Sequence, residues 1–223
     1  MSSIDIFGTL APAALYFSNE GQYIFRTKTS EGVITTKCVS ARDVAQAFTG
    51  EDQDTGWLPA GILRAGYGPK GPWFVYSRPP TTMMINLVQP KGPHFQAVPV
   101  PGTLLVGIGR EYMIFSWAGD QFRLDDPICT APYPNVHSDG QICWGKNVAP
   151  EAAPQNAEIV WRLFFDAPFN GDLVNGKCKR FPQDVRKLLR KLKGVERFPD
   201  EELITIEQNA GKHIERLIEQ EAK

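Results

Sequence analysis

The first part of the chain alternates short apolar runs with polar breaks, and this pattern predicts β-strands. Three runs rich in β-branched and aromatic residues occupy positions 14–17, 23–28 and 33–39. Polar breaks that contain glycine separate them at 19–21 and 30–32, as the turns of β-hairpins do. The pattern therefore predicts a small antiparallel meander at the start of the chain.

A short helix is expected directly after this meander. Ser40 stands three residues before Asp43, a spacing typical of a helix N-cap. The apolar face of this helix would consist of Val44, Ala47 and Phe48. Residues 49–72 are rich in Gly, Pro and Asp, and predict a long loop with one helical turn near Ile62.

Four more strands are predicted in the middle of the chain, and helices only towards its end. The strands are expected at 73–77, 83–88, 104–109 and 112–117. Proline pairs at 79–80 and 99–101 indicate strand ends and sheet edges, because proline cannot donate to a ladder.

After residue 158, the spacing of the apolar residues becomes typical of helices. Residues 159–165 are apolar almost all round, as in a largely buried helix. Residues 182–193 predict an amphipathic helix, with Pro182 in its first turn. Its apolar stripe would be Val185, Leu188, Leu189 and Leu192. A final helix is expected over 203–220. Strands first and helices last predict an α+β fold.

Composition excludes several function classes. The 223 residues carry 24 basic and 25 acidic side chains, a balance that does not favour nucleic-acid binding. No apolar run approaches the roughly 20 residues that span a bilayer, and residues 1–5 do not resemble a signal peptide. We therefore expect a cytoplasmic protein that binds neither nucleic acid nor membrane.

The cysteines are scattered and do not form a metal-binding pattern. The chain has four cysteines and no C-x-x-C pair: Cys38, Cys129, Cys143 and Cys178. We therefore predict reduced thiols, no metal site and no cofactor. Cys38 and Cys178 are expected to be small buried apolar residues. His94 and His213 are expected at the surface.

One segment carries specific chemistry, the run Tyr133-Pro134-Asn135-Val136-His137-Ser138-Asp139-Gly140-Gln141-Ile142-Cys143-Trp144. It places an asparagine eight positions before a cysteine, with a turn-forming Ser-Asp-Gly run between them. A thiolate is a strong nucleophile, and a nearby amide can donate a hydrogen bond to a developing oxyanion. The segment therefore contains both parts of an acyl-transfer site.

This pattern resembles the active-site loop of ubiquitin-conjugating enzymes. Matching positions are Pro134, Asn135, Val136, Gly140, Ile142 and Cys143. The resemblance is closest to bacterial ubiquitin-conjugating-like families, in particular protein B of PRTRC cassettes and its relatives in ubiquitin-like conjugation operons. It implies an antiparallel β-meander followed by helices. Residues 1–60 would be an N-terminal β-rich extension and 61–223 the conjugating-like domain, or the two would form one continuous domain.

The resemblance also implies a function and roles for named residues. Cys143 would carry a ubiquitin-like protein as a thioester and pass it to an amine, with Asn135 donating to the oxyanion. His137 and Asp139, between the two, are candidates for contact with the acceptor. Lys146, or local backbone N–H groups, would stabilise the reactive thiolate.

Two positions differ from the family pattern. Tyr133 stands where the family usually has histidine, and would support the loop as an aromatic residue with a hydroxyl. Trp144-Gly145-Lys146 replaces the usual Leu-Asp pair, so the acidic residue that would orient an incoming lysine is not at its usual place. Thioester formation is therefore the stronger expectation, and transfer to lysine the weaker.

The partners implied by the resemblance are a ThiF-like activating enzyme, a ubiquitin-like protein and a JAB-type isopeptidase of the same pathway, with anti-phage defence as the biological role. Two other functions stay open. A non-catalytic binding or scaffold module with the same fold would explain the departures at Tyr133 and Trp144. A cysteine hydrolase would need one of His94, His137 or His213 as its base.

Overall fold

The computed structural model describes residues 13–18, 22–47, 55–90 and 92–221. The chain divides into two compact units, Met1–Gly56 and Trp57–Lys223. The predicted turn at 19–21, the chain start and Phe48 lie outside the described residues.

The first unit contains the predicted meander. Strands β1 (Ala13–Phe17), β2 (Tyr23–Lys28) and β3 (Ile34–Val39) form an antiparallel sheet in the order β1-β2-β3. The prediction of three strands is confirmed. Cys38, on β3, was expected to be buried but is exposed. The described side chains of this sheet do not enclose a core.

The predicted N-cap is also confirmed. The Asp43 N–H donates to the Ser40 hydroxyl at 3.1 Å, and the Ser40 N–H donates back to the Asp43 carboxylate at 3.1 Å. This reciprocal pair satisfies backbone donors that a helix start otherwise leaves open. It begins helix α1 (Ala41–Ala47).

The second unit is built on two sheets. Its strands are β4 (Ile62–Gly68), β5 (Gly71–Arg78), β6 (Thr81–Gln89), β7 (Gly92–Val100), β8 (Gly102–Ile108), β9 (Glu111–Trp117), β10 (Pro127–Thr130), β11 (Pro168–Phe169) and β12 (Thr205–Asn209). A six-stranded antiparallel sheet has the order β12-β10-β9-β8-β5-β4. A three-stranded sheet has the order β11-β6-β7.

Several strands differ from the sequence-based prediction. The prediction of a loop over 49–72 is wrong in its second half, because strand β4 lies there. This strand pairs with β5 through a tight turn between Gly68 and Gly71. Strand β7 was not predicted, because Pro93 and Pro99 interrupt its pattern. Proline is tolerated in β7 because this is the outer strand of its sheet, where a missing N–H breaks no hydrogen bond to a second neighbour.

The helices are α2 (Ala157–Asp166), α3 (Arg186–Lys191) and α4 (Ala210–Glu221). Helix α3 is shorter than the predicted 182–193, although all four residues of its predicted stripe are buried. The start of the predicted final helix is wrong, because Thr205–Asn209 pairs with β10 as a strand. Helix α2 is largely buried as predicted, through Val160, Trp161, Phe164 and Phe165, although Ile159 is 58% exposed. No helix in the described part of the chain is long and apolar enough to cross a membrane.

The six-stranded sheet packs on both faces. Phe74 and Tyr76 of β5 point to one side, where Trp161 and other α2 residues cover them, while Val75 points to the other side, towards Ile214 of α4. Alternate residues of a strand face opposite sides, so one strand serves both apolar layers. The sheet between α2 and α4 thus forms the rigid base on which the 133–144 segment is mounted.

A charged network joins α2 to β5. Glu158 accepts hydrogen bonds from the Tyr76 hydroxyl at 2.7 Å, from Arg162 at 2.8 Å, and from Arg78. The Arg78 guanidinium lies 4.2 Å from the centre of the Trp161 ring. Burial alone would raise the pKa of Glu158, but hydrogen bonds from Tyr76, Arg78 and Arg162 outweigh it and hold that pKa below its ordinary value.

The network predicts an acid-sensitive contribution to stability. Because the folded-state pKa of Glu158 lies below the unfolded value of about 4.3, its contribution is present above that value and is lost as pH falls through the folded pKa. Glu158→Gln should therefore lower the free energy of unfolding at pH 7 but much less at pH 3. Urea unfolding at both pH values measures this. An equal loss of unfolding free energy at both pH values would show that the charge of Glu158 does not contribute to stability.

Candidate active site

The 133–144 segment folds back on itself as a narrow hairpin. The His137 N–H donates to the Gln141 carbonyl at 2.8 Å, and the Cys143 N–H donates to the Asn135 carbonyl at 2.8 Å. Val136 and Ile142 pair between these two bonds, and both side chains are buried. The asparagine and the cysteine that are eight positions apart in sequence are therefore joined directly through their backbones.

Gly140 allows the hairpin to turn. Its N–H donates to the His137 carbonyl at 3.1 Å, which closes a four-residue turn. Its φ is +93°, and a Cβ at this position would lie 2.5 Å from the Phe115 ring. Glycine is thus required both by the backbone conformation and by the close approach to β9. The Gln141 N–H is held by the Asp139 carboxylate at 3.0 Å.

The hairpin is bonded to the edge of β9. The Ile142 N–H donates to the Tyr112 carbonyl and the Ile114 N–H donates to the Gly140 carbonyl, both at 2.8 Å. Its position is therefore determined by the rigid six-stranded sheet. A backbone held in this way keeps the cysteine in one place.

The four thiols fall into two classes. Cys129 and Cys178 are buried, and burial raises the pKa of the Cys129 thiol to about 11 and also raises the pKa of Cys178. These two are poor nucleophiles, since only the thiolate attacks. Cys143 and Cys38 are exposed. The predicted burial of Cys178 is confirmed, and Cys143 is the exposed thiol of the second unit.

The unusual residues after Cys143 anchor the end of the hairpin. Trp144 is half-buried and packs edge-on against Tyr112, with ring centres 5.8 Å apart. Gly145 has a φ of +58° and stands within a turn in which the Asn147 N–H donates to the Trp144 carbonyl. Lys146 is exposed on this turn. The indole therefore gives the segment an attachment to the core directly beside the thiol.

Asn135 is held in an uncommon conformation. Its φ is +61°, a left-handed value that asparagine tolerates better than most residues. Its amide nitrogen Nδ2 donates to the Pro168 carbonyl at 3.0 Å, so strand β11 fixes the orientation of the side chain. An amide nitrogen carries two N–H groups. One is bound to Pro168, and within the described part of the chain the other has no hydrogen-bond partner.

Tyr133 lies beneath the hairpin and not at its surface. It is fully buried, and its ring contacts Phe164 and Phe165 of α2 and Phe169 of β11 at centroid distances of 5.0 to 6.1 Å. Burial raises the pKa of its hydroxyl, and the Thr103 and Ser116 hydroxyls offset this only in part. At this position the tyrosine connects the hairpin to the core.

This packing predicts a large stability effect. Tyr133→Ala should lower the free energy of unfolding by about 3–5 kcal/mol, because it leaves a cavity among three phenylalanine rings. Tyr133→Phe, which keeps the ring, should change it by no more than about 1.5 kcal/mol. Denaturant unfolding of both variants provides the comparison. Similar losses in the two would mean that the hydroxyl, and not the ring, supports the loop.

The remaining predicted residues lie near the turn, and one further residue was not predicted. His137 and Asp139 are exposed on the turn. The Lys177 side chain is buried, and its ammonium donates to the His137 carbonyl at 3.0 Å. Lys177 is forty positions from His137, and no local pattern marks it. The expectation that His213 is a surface residue is wrong, because it is buried against the Phe115 ring on the α4 side of the sheet.

One surface groove adjoins the hairpin, and a second lies beside the chain that follows it. One, of about 440 Å³, lies between Asp139, Gln141 and α4 residues that include Arg216. Gln141 and Cys143 alternate with buried Ile142, so their side chains share the exposed face. The other groove lies between α2 and the chain after Cys143, where Val148 is 80% exposed and Ile159 is also exposed.

Comparison with known proteins assigns the family. No curated protein and no solved structure matches the chain. The family model of prokaryotic E2 family D matches residues 37–206, about three quarters of the chain, including the whole hairpin. Mixed α/β structure with antiparallel sheets and few helices is compatible with an E2-like fold. The chain therefore belongs to prokaryotic E2 family D.

Proposed function

We propose that this protein carries a ubiquitin-like protein as a thioester on Cys143 and passes it to an acceptor amine. The observation that carries the proposal is the exposed Cys143 thiol at the end of a hairpin whose backbone is bonded directly to Asn135. Membership of an E2 family makes ubiquitin-like conjugation the expected use of such a thiol.

The first step is a thiol exchange. The Cys143 thiolate attacks the carbonyl carbon of the C-terminal residue of the ubiquitin-like protein, which arrives as a thioester on an activating enzyme. A new C–S bond forms to Cys143, the old C–S bond breaks, and the activating enzyme leaves as a thiolate. One thioester replaces another, so no oxidant or cofactor is needed. Cys143 is the nucleophile because the other thiols of the second unit are buried.

The second step breaks the Cys143 thioester. An amine attacks the carbonyl carbon, the carbonyl oxygen becomes an oxyanion, and Cys143 leaves as a thiolate while the amine loses its proton to solvent. The free N–H of Asn135 would stabilise the oxyanion. Its other N–H is fixed by Pro168, so the donor is oriented before the reaction begins, which is the condition under which such donors are most effective.

The acceptor would approach over the turn. Asp139 uses one carboxylate oxygen to hold the Gln141 N–H, which leaves the other open to solvent and to an incoming ammonium group. His137 and Lys146 flank the same region and are exposed. We assign these three residues to acceptor contact and Tyr133 to support of the loop.

The finer assignments rest on resemblance of the motif. A ThiF-like enzyme would supply the activated ubiquitin-like protein, and a JAB-type isopeptidase would reverse its attachment. Membership of the PRTRC protein B group and a role in anti-phage defence belong to the same proposal.

Reconstitution tests the proposal. The purified chain is mixed with ATP and with the activating enzyme and ubiquitin-like protein encoded beside it, and products are separated with and without reducing agent. We expect an adduct that reducing agent removes, formed equally by Cys38→Ala, which serves as the control for the other exposed thiol. Stable non-covalent binding of the ubiquitin-like protein without any adduct would favour a binding module instead.

A further inference from the structure

Lys177 is a buried cation near the proposed active site. The residue is 3% exposed and is followed by buried Cys178, whereas Gly176 before it and Lys179 after this pair are exposed. Lysine is almost never buried unless its ammonium is paired or hydrogen-bonded. Within the described part of the chain, no carboxylate lies within 4 Å of the Lys177 ammonium, so no close ion pair accounts for its burial.

The ammonium is directed at a single backbone atom of the hairpin. It donates to the His137 carbonyl at 3.0 Å. Burial lowers the pKa of Lys177, and the charge of Asp139 on the same turn partly offsets this. A charge-assisted bond from a buried ammonium is stronger than a neutral one.

The carbonyl that Lys177 contacts closes the turn. It also accepts the Gly140 N–H at 3.1 Å, while the His137 N–H donates to Gln141 across the hairpin. The next backbone bond along the hairpin joins Cys143 to Asn135. Only the Val136–Ile142 pair therefore separates the His137 carbonyl, which Lys177 binds, from the Cys143–Asn135 bond. That bond holds the proposed nucleophile beside the proposed oxyanion donor.

We propose that Lys177 is a positioning residue for acyl transfer, which holds the hairpin through the His137 carbonyl so that Cys143 and Asn135 keep their reactive arrangement. This inference rests on the proposed function of Cys143. Lys177 touches neither the thiol nor the acyl group. It acts from outside the motif, through the segment that follows α2.

Three variants separate the donor from the bulk of the side chain. Lys177→Met keeps most of the apolar stem and removes the ammonium. Lys177→Arg keeps a charged donor. Lys179→Met removes an exposed lysine two positions away and serves as the matched control. The measurement is single-turnover reaction of the preformed thioester with free lysine, with the rate constant and the half-saturating lysine concentration determined separately.

Lys177→Met should lower the rate constant at saturating lysine by about 10- to 100-fold, because small displacements of reacting groups have effects of this size. The half-saturating lysine concentration should not change, Lys177→Arg should recover part of the rate, and Lys179→Met should behave as wild type. Amide hydrogen exchange, measured without partners, should be faster at Gly140 and Cys143 in Lys177→Met alone.

The outcomes distinguish the two proposals. A wild-type rate in Lys177→Met, or a loss that appears only in the half-saturating concentration, would overturn the positioning role while leaving the thioester on Cys143 intact. Equal losses in Lys177→Met and Lys177→Arg, with unchanged hydrogen exchange at the hairpin, would also overturn it. Absence of any thioester on the wild-type chain would refute the proposed function, and this inference with it.

Discussion

Replacing Cys143 with serine is expected to abolish reducible adducts and to leave a slow, thiol-resistant ester in their place. Serine keeps a nucleophilic oxygen in the same position, but its hydroxyl is a far weaker nucleophile than a thiolate at neutral pH. Its ester is also much less reactive towards amines. Cys143→Ala should form neither product. The measurement is charging by the activating enzyme and ATP, followed over hours with and without reducing agent.

This prediction has internal controls in the other cysteines. Cys38→Ala should charge at the wild-type rate, and so should Cys129→Ala in the fraction that remains folded, since Cys129 is a buried residue of β10 with a strongly raised pKa. If Cys143→Ala still acquired a reducible adduct, another thiol would be the acyl carrier and the role assigned to the hairpin would be wrong.

Removal of the Asn135 amide should give the second largest effect. Losing one preorganised oxyanion donor typically slows a reaction by about 10²–10³-fold. Asn135→Gly is the preferred variant, because glycine accepts the left-handed φ of +61° that alanine does not. Transfer of the acyl group from Cys143 to free lysine should slow by that factor.

The matched comparison is Asn135→Ala. It loses the same amide and adds backbone strain of about 1–2 kcal/mol, so it should be less stable than Asn135→Gly but equally slow in transfer. Both also lose the bond to Pro168. If transfer rates followed thermal stability in the two variants, Asn135 would act only as a structural residue of the turn.

Local signals in the sequence predict much of this fold. The Ser40 and Asp43 spacing specified a reciprocal cap, and continuous runs of apolar residues specified β5, β8 and β9. Both features depend on neighbours within a few residues. Strands β10 and β12 were not predicted. They are short, and pair with each other across more than seventy residues of chain, so their strand character comes from tertiary contacts that no local pattern records.

The same distinction applies to the candidate site. The hairpin is contiguous, so the spacing of Asn135, Gly140 and Cys143 was sufficient to predict a turn between the asparagine and the cysteine. The groups that orient this hairpin come from elsewhere. Pro168 binds the Asn135 amide and Lys177 binds the His137 carbonyl, and both lie after α2. Their relation to the motif exists only once α2 has packed on the sheet.

The departures from the family motif also have a physical explanation in the fold. Tyr133 fits a pocket of three phenylalanine rings, where a smaller imidazole would leave space. Trp144 packs on Tyr112, whose hydroxyl in turn donates to the Pro150 carbonyl at 2.8 Å, so the chain on both sides of Lys146 is attached to β9. In this member of the family, aromatic packing anchors both ends of the hairpin, through Tyr133 at its start and Trp144 at its end.

The central claim is that Cys143 carries the acyl group, and mapping the attachment site tests it most directly. The wild-type chain would be charged with its activating enzyme, ATP and ubiquitin-like protein, digested without reducing agent, and examined by mass spectrometry. We predict that the C-terminal residue of the ubiquitin-like protein is found on the peptide that contains Cys143, and not on the one that contains Cys38. Attachment to Cys38, or to a lysine with Cys143 unmodified throughout the time course, would contradict the account.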